Sequence, residues 1–331
     1  SAGWIISDEN FFAGLKNTFS LLKLRGSFGQ TGNQDIPNDQ NLTSYNYSSS
    51  KRYGPQSDSP AGVVYTVGNN SITWETTGSY DVGIDFGLFD NRVSGSLAYY
   101  MQNVSDMLLQ VSTPASSAIG SIYGNVGDMK NWGYEFNLTS TNIRKSNFSW
   151  VTDFNISTNK NEITRLTSEM EALKGNTLYK GGRLGLHQAC DYAGIDPERG
   201  VHMIWEYDGA TYTSTGKYVR TGRKIPFTGT NSALSYNQKV QSDKSVIPTY
   251  YGGLSNTFNY KGFELVVFFT FSGGNYIYNS NEYEWTTAGN CNRLWKKDML
   301  EQSWKPEWTD AQKQNAKYPL IAFNGQNPYY T

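Results

Sequence analysis

Few side chains in this sequence stand where covalent or metal chemistry would need them. His187 and His202 are the only histidines, and neither belongs to a recognisable set of paired metal ligands, so they read as lumen or turn residues. Cys190 and Cys291 lie 101 positions apart, which fits neither a dense disulfide framework nor a zinc site; whether the two pair stays open. Serines abound, but none sits in a Gly-x-Ser-x-Gly elbow, so hydrolase chemistry has no support. Asp196, Glu198, Glu206 and Asp208 flank Pro197 and Gly200. They offer oxygen ligands, and calcium is the one cofactor left open, although the spacing is not that of an EF-hand and a solvated turn explains it as well. Asp81 and Asp85 share one face of an extended segment without a proton-transfer partner in view. Trp285, Trp295, Trp304, Trp308, Tyr329 and Tyr330 crowd the last long connection. Flat amphipathic rings of this kind stack on sugars, anchor a partner protein or pack within their own loop.

The elements that must position these residues are strands. Aromatics make up 15% of the 331 residues and charged residues 17%, against about 25% charged in ordinary soluble domains. A formal net charge of -1 gives no reason to expect a polynucleotide partner. No run approaches the roughly 18 apolar residues of a membrane helix. Membrane strands are another matter, because their apolar residues alternate with polar ones.

Alternation is the dominant pattern. Tyr80, Val82, Ile84, Phe86 and Leu88 share one face, with Asp81, Gly83, Asp85 and Gly87 on the other. A turn at Phe89-Asp90-Asn91-Arg92 leads to Val93, Leu97, Tyr99 and Met101 in a returning strand. The unit recurs at Trp132 to Thr139 with Phe148 to Ile156, and at Tyr250 to Phe258 with Phe263 to Phe271 around a tight Lys261-Gly262 turn. Leu22, Leu24 and Phe28 oppose Lys23, Arg25 and Ser27 in an earlier strand. Weaker strands are drawn through Leu184 to Ile195 and Val201 to Tyr207, and Gly3 to Ile6 ends another. Helical spacing predicts short helices at Asp8 to Phe19 and within Leu294 to Ala316. With the weak strands included, some nine or ten strands alternate short connections (89–92, 141–147, 197–200, 261–262) with long ones (30–77, 103–130, 158–183, 208–249, 273–331), the order expected of periplasmic turns and extracellular loops.

A soluble extracellular carbohydrate-binding β-sandwich buries the same apolar stripe against a second sheet. Three features favour a membrane wall: aromatic-rich apolar faces, strands of about 10 residues, and long loops all on one side. Lys or Arg facing lipid costs about 2–4 kcal/mol at the midplane, and none occupies the apolar face of the clear strands. An enzyme barrel would need a nucleophile and base converging on one end, and none is seen.

Several blocks resemble the SusC/RagA-type TonB-linked outer-membrane proteins. They are Leu22-Lys23-Leu24-Arg25-Gly26-Ser27-Phe28-Gly29-Gln30-Thr31-Gly32-Asn33, Trp74-Glu75-Thr76-Thr77, and Val82-Gly83-Ile84-Asp85-Phe86-Gly87 with Asn91-Arg92-Val93-Ser94-Gly95. Asn125-Val126-Gly127, Gly133-Tyr134-Glu135-Phe136, Phe154 to Ile163, Gly194 to Gly200 and Pro248 to Gly253 follow in the same order. The resemblance implies an all-β fold, an antiparallel transmembrane β-barrel with long extracellular loops, partial here and drawn from a plugged barrel of roughly 22 strands. It also implies a non-enzymatic importer in the outer membrane of a Gram-negative bacterium. Its partners would be the lipid bilayer, a SusD-like surface lipoprotein, the TonB system and an oligosaccharide or peptide cargo, with no nucleic acid. Siderophore-type TonB receptors share the architecture. Residues 1–331 are expected to form part of one barrel domain of a longer polypeptide, because nothing matches the plug or the terminal strands.

Overall fold

A computed structural model describes residues 1–52, 60–112, 121–172, 177–215, 217–227, 238–281 and 296–321. Two compact units emerge: residues 1–171, 179–183 and 248–274 form the first, and residues 172–178, 184–247 and 275–331 the second.

The first unit opens with β1 (Ala2–Ile5) and β2 (Phe19–Asn33) and makes a side hairpin of β3 (Ser44–Arg52) and β4 (Pro60–Thr66). It continues through β5 (Glu75–Leu88) and β6 (Val93–Ser105), a second side hairpin of β7 (Leu108–Ser112) and β8 (Ser121–Asn125), then β9 (Gly127–Lys145), β10 (Phe148–Thr158) and β11 (Lys160–Leu166). The second unit carries β12 (Leu186–Cys190), β13 (Tyr192–Ile195), β14 (His202–Tyr207), β15 (Arg220–Pro226) and β16 (Gln238–Ser245), and the chain returns to the first in β17 (Tyr250–Tyr260) and β18 (Phe263–Gly273). Among the described residues the main sheet has nine antiparallel strands in the order β1-β2-β5-β6-β9-β10-β17-β18, with β11 extending along β9.

Turn chemistry explains the hairpins. Phe89, Asp90 and Asn91 all adopt positive φ; Asp and Asn tolerate that region because their short polar side chains bond locally. Lys261 (φ 48°) and Gly262 (φ 88°) make the two-residue turn whose twist suits flanking strands. The short turns are fastened to their neighbours along one rim. Arg92 Nε donates to Thr141 O at 3.0 Å and its Nη2 to Asn142 O at 2.8 Å, while Lys261 N donates to Asn147 O at 3.2 Å.

The two weak strands require correction. β10 pairs directly with β17 from Phe148↔Tyr260 to Thr158↔Tyr250, so once β11 has left the edge of β9, residues 167–249 are one connection between neighbouring wall strands. β12, β13 and β14 join small sheets of the second unit instead, and the turn at 197–200 is not a turn of the wall. Removing two predicted strands at once preserves up-and-down parity, which is why the third hairpin was still oriented correctly. The expected helix at 8–19 is 3₁₀ throughout, at Ile6–Asp8 and Asn10–Leu15. The stretch at 294–316 forms two short helices, Lys297–Gln302 and Asp310–Gln314. Pro306 separates them, since the residue before a proline is driven out of the helical region.

The main sheet's apolar stripe is uncovered. Tyr80, Val82, Ile84, Leu97 and Tyr134 are 43%, 55%, 42%, 47% and 57% exposed, and Phe263 and Leu265 more so. A sandwich would have buried this face against a second layer. Small residues lie on the opposite side, where Ala98 is 2% exposed.

In the second unit β12 pairs β16, and β13-β14-β15 form a three-stranded sheet. Its buried residues include Ile204, Tyr207 and Tyr212, and Met299 packs with Tyr318. Thr309 and Gln312 close a reciprocal capping box on the second short helix.

Candidate functional site

The polar face of the main sheet is the surface best placed to do work. Pairing Arg25 with Gly83 sets the guanidinium between Asp81 and Asp85. Nη1 is bonded to Asp81 Oδ1, and Nε donates to Asp85 Oδ1 at 3.3 Å. Gly83 makes the arrangement fit, since a Cβ there would stand 2.9 Å from the guanidinium carbon. The three side chains are about one-third exposed, where ion pairs contribute roughly 0–1 kcal/mol. The cluster therefore fixes positions more than it stabilises the fold, and both carboxylates are engaged by a cation rather than by a proton acceptor.

More polar groups continue across the face. Glu135, Asp153 and Glu264 are exposed there, and Asp153 Oδ1 accepts from Thr139 Oγ1 at 2.6 Å. Tyr100 reaches over Gly133 and donates to Thr158 O at 3.2 Å. At the end from which the long connections leave, Arg165 grips Asp128 with two hydrogen bonds, Nε to Oδ2 at 2.6 Å and Nη2 to Oδ1 at 2.8 Å. This fork pins β11 to β9.

Polar side chains on the apolar face satisfy one another. Trp150 Nε1 and Thr152 Oγ1 both donate to Asn256 Oδ1, at 2.9 and 2.7 Å, and Asn142 Nδ2 donates to Thr152 Oγ1 at 2.6 Å. The Trp150 and Phe258 rings stack beside them at 5.6 Å. A lipid-facing surface requires this closure, because hydrocarbon offers polar groups no partners.

The expected loop aromatics divide. Trp304 is 5% exposed and its Nε1 donates to Pro197 O at 2.8 Å. Its ring covers Gly200, whose φ of 68° and missing side chain both serve the contact. Trp304 is thus an internal anchor between the Asp196–Gly200 turn and the C-terminal segment. Trp308 is half-buried, with Lys305 Nζ 5.8 Å from its ring centre. Trp285, Trp295, Tyr329 and Tyr330 lie outside the described residues, as does Cys291.

Three of the four carboxylates considered for calcium are engaged separately. Asp196 Oδ1 accepts from Glu198 N at 2.8 Å, Glu206 Oε1 accepts from Arg223 Nη2 at 3.0 Å, and Asp208 Oδ1 accepts from Ala210 N at 3.0 Å. Among the described residues no group of three or more His, Cys, Asp or Glu side chains is arranged to hold a metal ion. Burial pushes the Cys190 thiol up and keeps His202 neutral by lowering its pKa. Sequence reasoning did not find the Arg25–Asp81–Asp85 link, although Lys23 and Arg25 alternate against an acidic partner strand. Nor did it find Trp205, flanked by Arg220 and Lys224 at 5.1 and 5.2 Å.

Comparisons with known proteins agree with this geometry. The family model described as TonB dependent receptor-like, beta-barrel matches residues 10–312. TonB-dependent receptor P3 of Formosa agariphila is 31% identical over 83% of this chain and 28% of its own length. TonB-dependent receptor SusC of Bacteroides thetaiotaomicron is 27% identical over 87% of this chain and 28% of its own. The structure of the RagAB peptide transporter superposes with a TM-score of 0.76 at 27% identity, covering 96% of this chain and 33% of that one. The chain thus spans about a third or less of the relatives it matches. A sheet with one greasy and one hydrophilic face, and short turns along a single rim, places the chain in the TonB-dependent receptor-like β-barrel family of the outer membrane, among proteins similar to SusC and RagA.

Proposed function

We propose that this chain forms part of the wall of an outer-membrane importer, which moves oligosaccharides or peptides without transforming them. The carrying observation is the division of the main sheet. Its aromatic-rich face stands exposed along β2, β5, β6, β9 and β18, while Arg25, Asp81, Asp85, Glu135 and Asp153 line the other, as lipid outside and an aqueous path inside would demand. A SusD-like surface lipoprotein is the partner we assign to the side of the long connections, with TonB supplying energy through other parts of the full polypeptide. The membership of a family whose relatives include SusC and RagAB supports both assignments. Affinity purification of the full-length protein from native membranes tests the reading. A surface lipoprotein should co-elute and cargo uptake should stop when TonB is deleted; uptake that continues unchanged without TonB would overturn it.

A further inference from the structure

The import reading leaves one part of the polar face without a role. Where β10, β17 and β18 lie side by side, at the end remote from the Lys261–Gly262 turn, an open cleft of ≈380 Å³ is lined by Asn155, Tyr251, Gly253, Phe268, Thr270 and Ser272, with Gly252 and Phe271 from the alternate positions of β17 and β18. Register places Tyr251 between Ser157 and Ser272, and Gly253 between Asn155 and Thr270. These positions face away from lipid, because their strand neighbours Leu254 and Phe269 pair on the apolar side. The Tyr251 and Phe268 rings are 50% and 62% exposed among the described residues. Gly253 is the floor between them. A Cβ there would stand 3.3 Å from the Phe268 ring and 3.4 Å from Asn155 Nδ2, so the missing side chain leaves the gap between ring and amide open.

Tyr251, Phe268 and Phe271 contribute rings to the cleft, Asn155 an amide, and Tyr251, Thr270 and Ser272 hydroxyls, while no ammonium, guanidinium or carboxylate lines it. We propose that it binds a single neutral pyranose unit of an oligosaccharide passing along the wall. This rests on the import reading and selects between its two cargo classes. A pyranose ring presents a C–H face to an aromatic and hydroxyls that both donate and accept, matching Asn155, Thr270 and Ser272. A peptide bound by strand addition would need unpaired backbone groups. Here the β10–β17 and β17–β18 ladders are continuously paired through the cleft, which leaves only the outer edge of β18 for such pairing among the described residues. The volume lies at the small end of ligand sites, which run about 300–1,000 Å³.

The test uses the full-length protein in detergent with Tyr251→Trp as a fluorescent reporter, read as the difference from the unsubstituted protein. The probes are the methyl glycosides of glucose, galactose and mannose, with N-acetyl-leucinamide and N-acetyl-phenylalaninamide as peptide surrogates. At least one glycoside should give a saturable emission change at millimolar concentration, and neither amide should. Asn155→Ala and Phe268→Ala, at exposed side chains that leave the ladders intact, should each weaken the response about tenfold. Gly253→Leu should abolish it. Silence towards all three glycosides, a response that survives Phe268→Ala and Asn155→Ala unchanged, or saturation by the amides alone would overturn the proposal. Partner capture by the unsubstituted protein separates the two levels. A silent reporter with capture intact removes the sugar cleft only, whereas failed capture with TonB-independent uptake removes the import reading beneath it.

Discussion

Replacing Ile84 with lysine tests the solvent assigned to the apolar stripe. Ile84 pairs with Leu24 on one side and Leu97 on the other, on the face where all three are substantially exposed. It stands four positions before Leu88, the last residue of β5. At about 3.4 Å per residue and a tilt near 45°, Ile84 stands roughly 10 Å above the strand end. The apolar band of such barrels is about 25 Å tall, so this height is close to the midplane, where lysine costs about 2–4 kcal/mol. That corresponds to a shift of roughly 30- to 900-fold in the folding equilibrium. Ser96→Lys is the matched control, because Ser96 pairs with Asp85 on the polar face and a water-exposed lysine beside a carboxylate should change stability by less than about 1 kcal/mol. The assay is urea unfolding of the full-length protein in phosphatidylcholine vesicles, followed by tryptophan fluorescence and band shift on unheated gels. If Ile84→Lys costs no more than Ser96→Lys, the greasy stripe does not face hydrocarbon and the wall assignment fails.

Gly200→Ala should cost about 1–3 kcal/mol, because φ is 68° there and Trp304 occupies the space of a side chain; faster proteolysis between residues 184 and 247 reports it. Trp304→Phe removes one hydrogen bond to Pro197 O and should cost about 1 kcal/mol or somewhat more, read by the same cleavage rate. Lys317 Nζ donates to Asp298 Oδ2 at 2.7 Å, and that bond holds the Asp298 carboxyl low and the Lys317 ammonium high. A depressed carboxylate contributes above its unfolded pKa of about 3.9 and is lost as pH falls through its lower folded value, while a raised lysine is lost only as pH climbs past its folded value above about 10.4. Protease protection of residues 297–321 should therefore be flat around neutrality and fall at the acidic limb, and Asp298→Asn should flatten that limb. Burial lowers the pKa of His202, so stability is complete above its unfolded value near 6.5 and declines as pH drops from there toward the folded value; His202→Phe should remove that dependence from the β13-β14-β15 sheet.

How much was legible depended on what alternation encodes. The β5–β6 hairpin was readable because Tyr80 to Leu88 alternates without interruption, and the β17–β18 hairpin because Phe263, Leu265, Val267, Phe269 and Phe271 share one face although Val266 and Phe268 occupy the other; both are joined by turns with positive-φ residues. Alternation says which residues share a face, but not which sheet the strand joins. Hence Leu186–Cys190 and His202–Tyr207 passed for wall strands although they pair within the second unit. Phe11, Phe12 and Leu15 have helical spacing, yet the segment is a single short stretch with no side-chain cap on its first turn, and it tightens to 3₁₀. The Arg25 cluster needed the register of β2 against β5, which no spacing along the chain supplies. Trp304 finds its partner 107 positions upstream, so of the three roles open to such a ring, packing within the chain is the one that spacing alone could not single out.

The excursion between Thr158 and Tyr250 bears on how such a protein diversifies. Gly185 O accepts from Val246 N at 2.9 Å, so the entrance and exit of the 186–245 excursion are stapled together, while Thr158 and Tyr250 remain ladder partners. Closing a longer or shorter excursion across that staple costs only about 0.6 kcal/mol per doubling of length. Excursions of quite different length can therefore be inserted between the same two ladder-paired strands without disturbing the sheet that holds them.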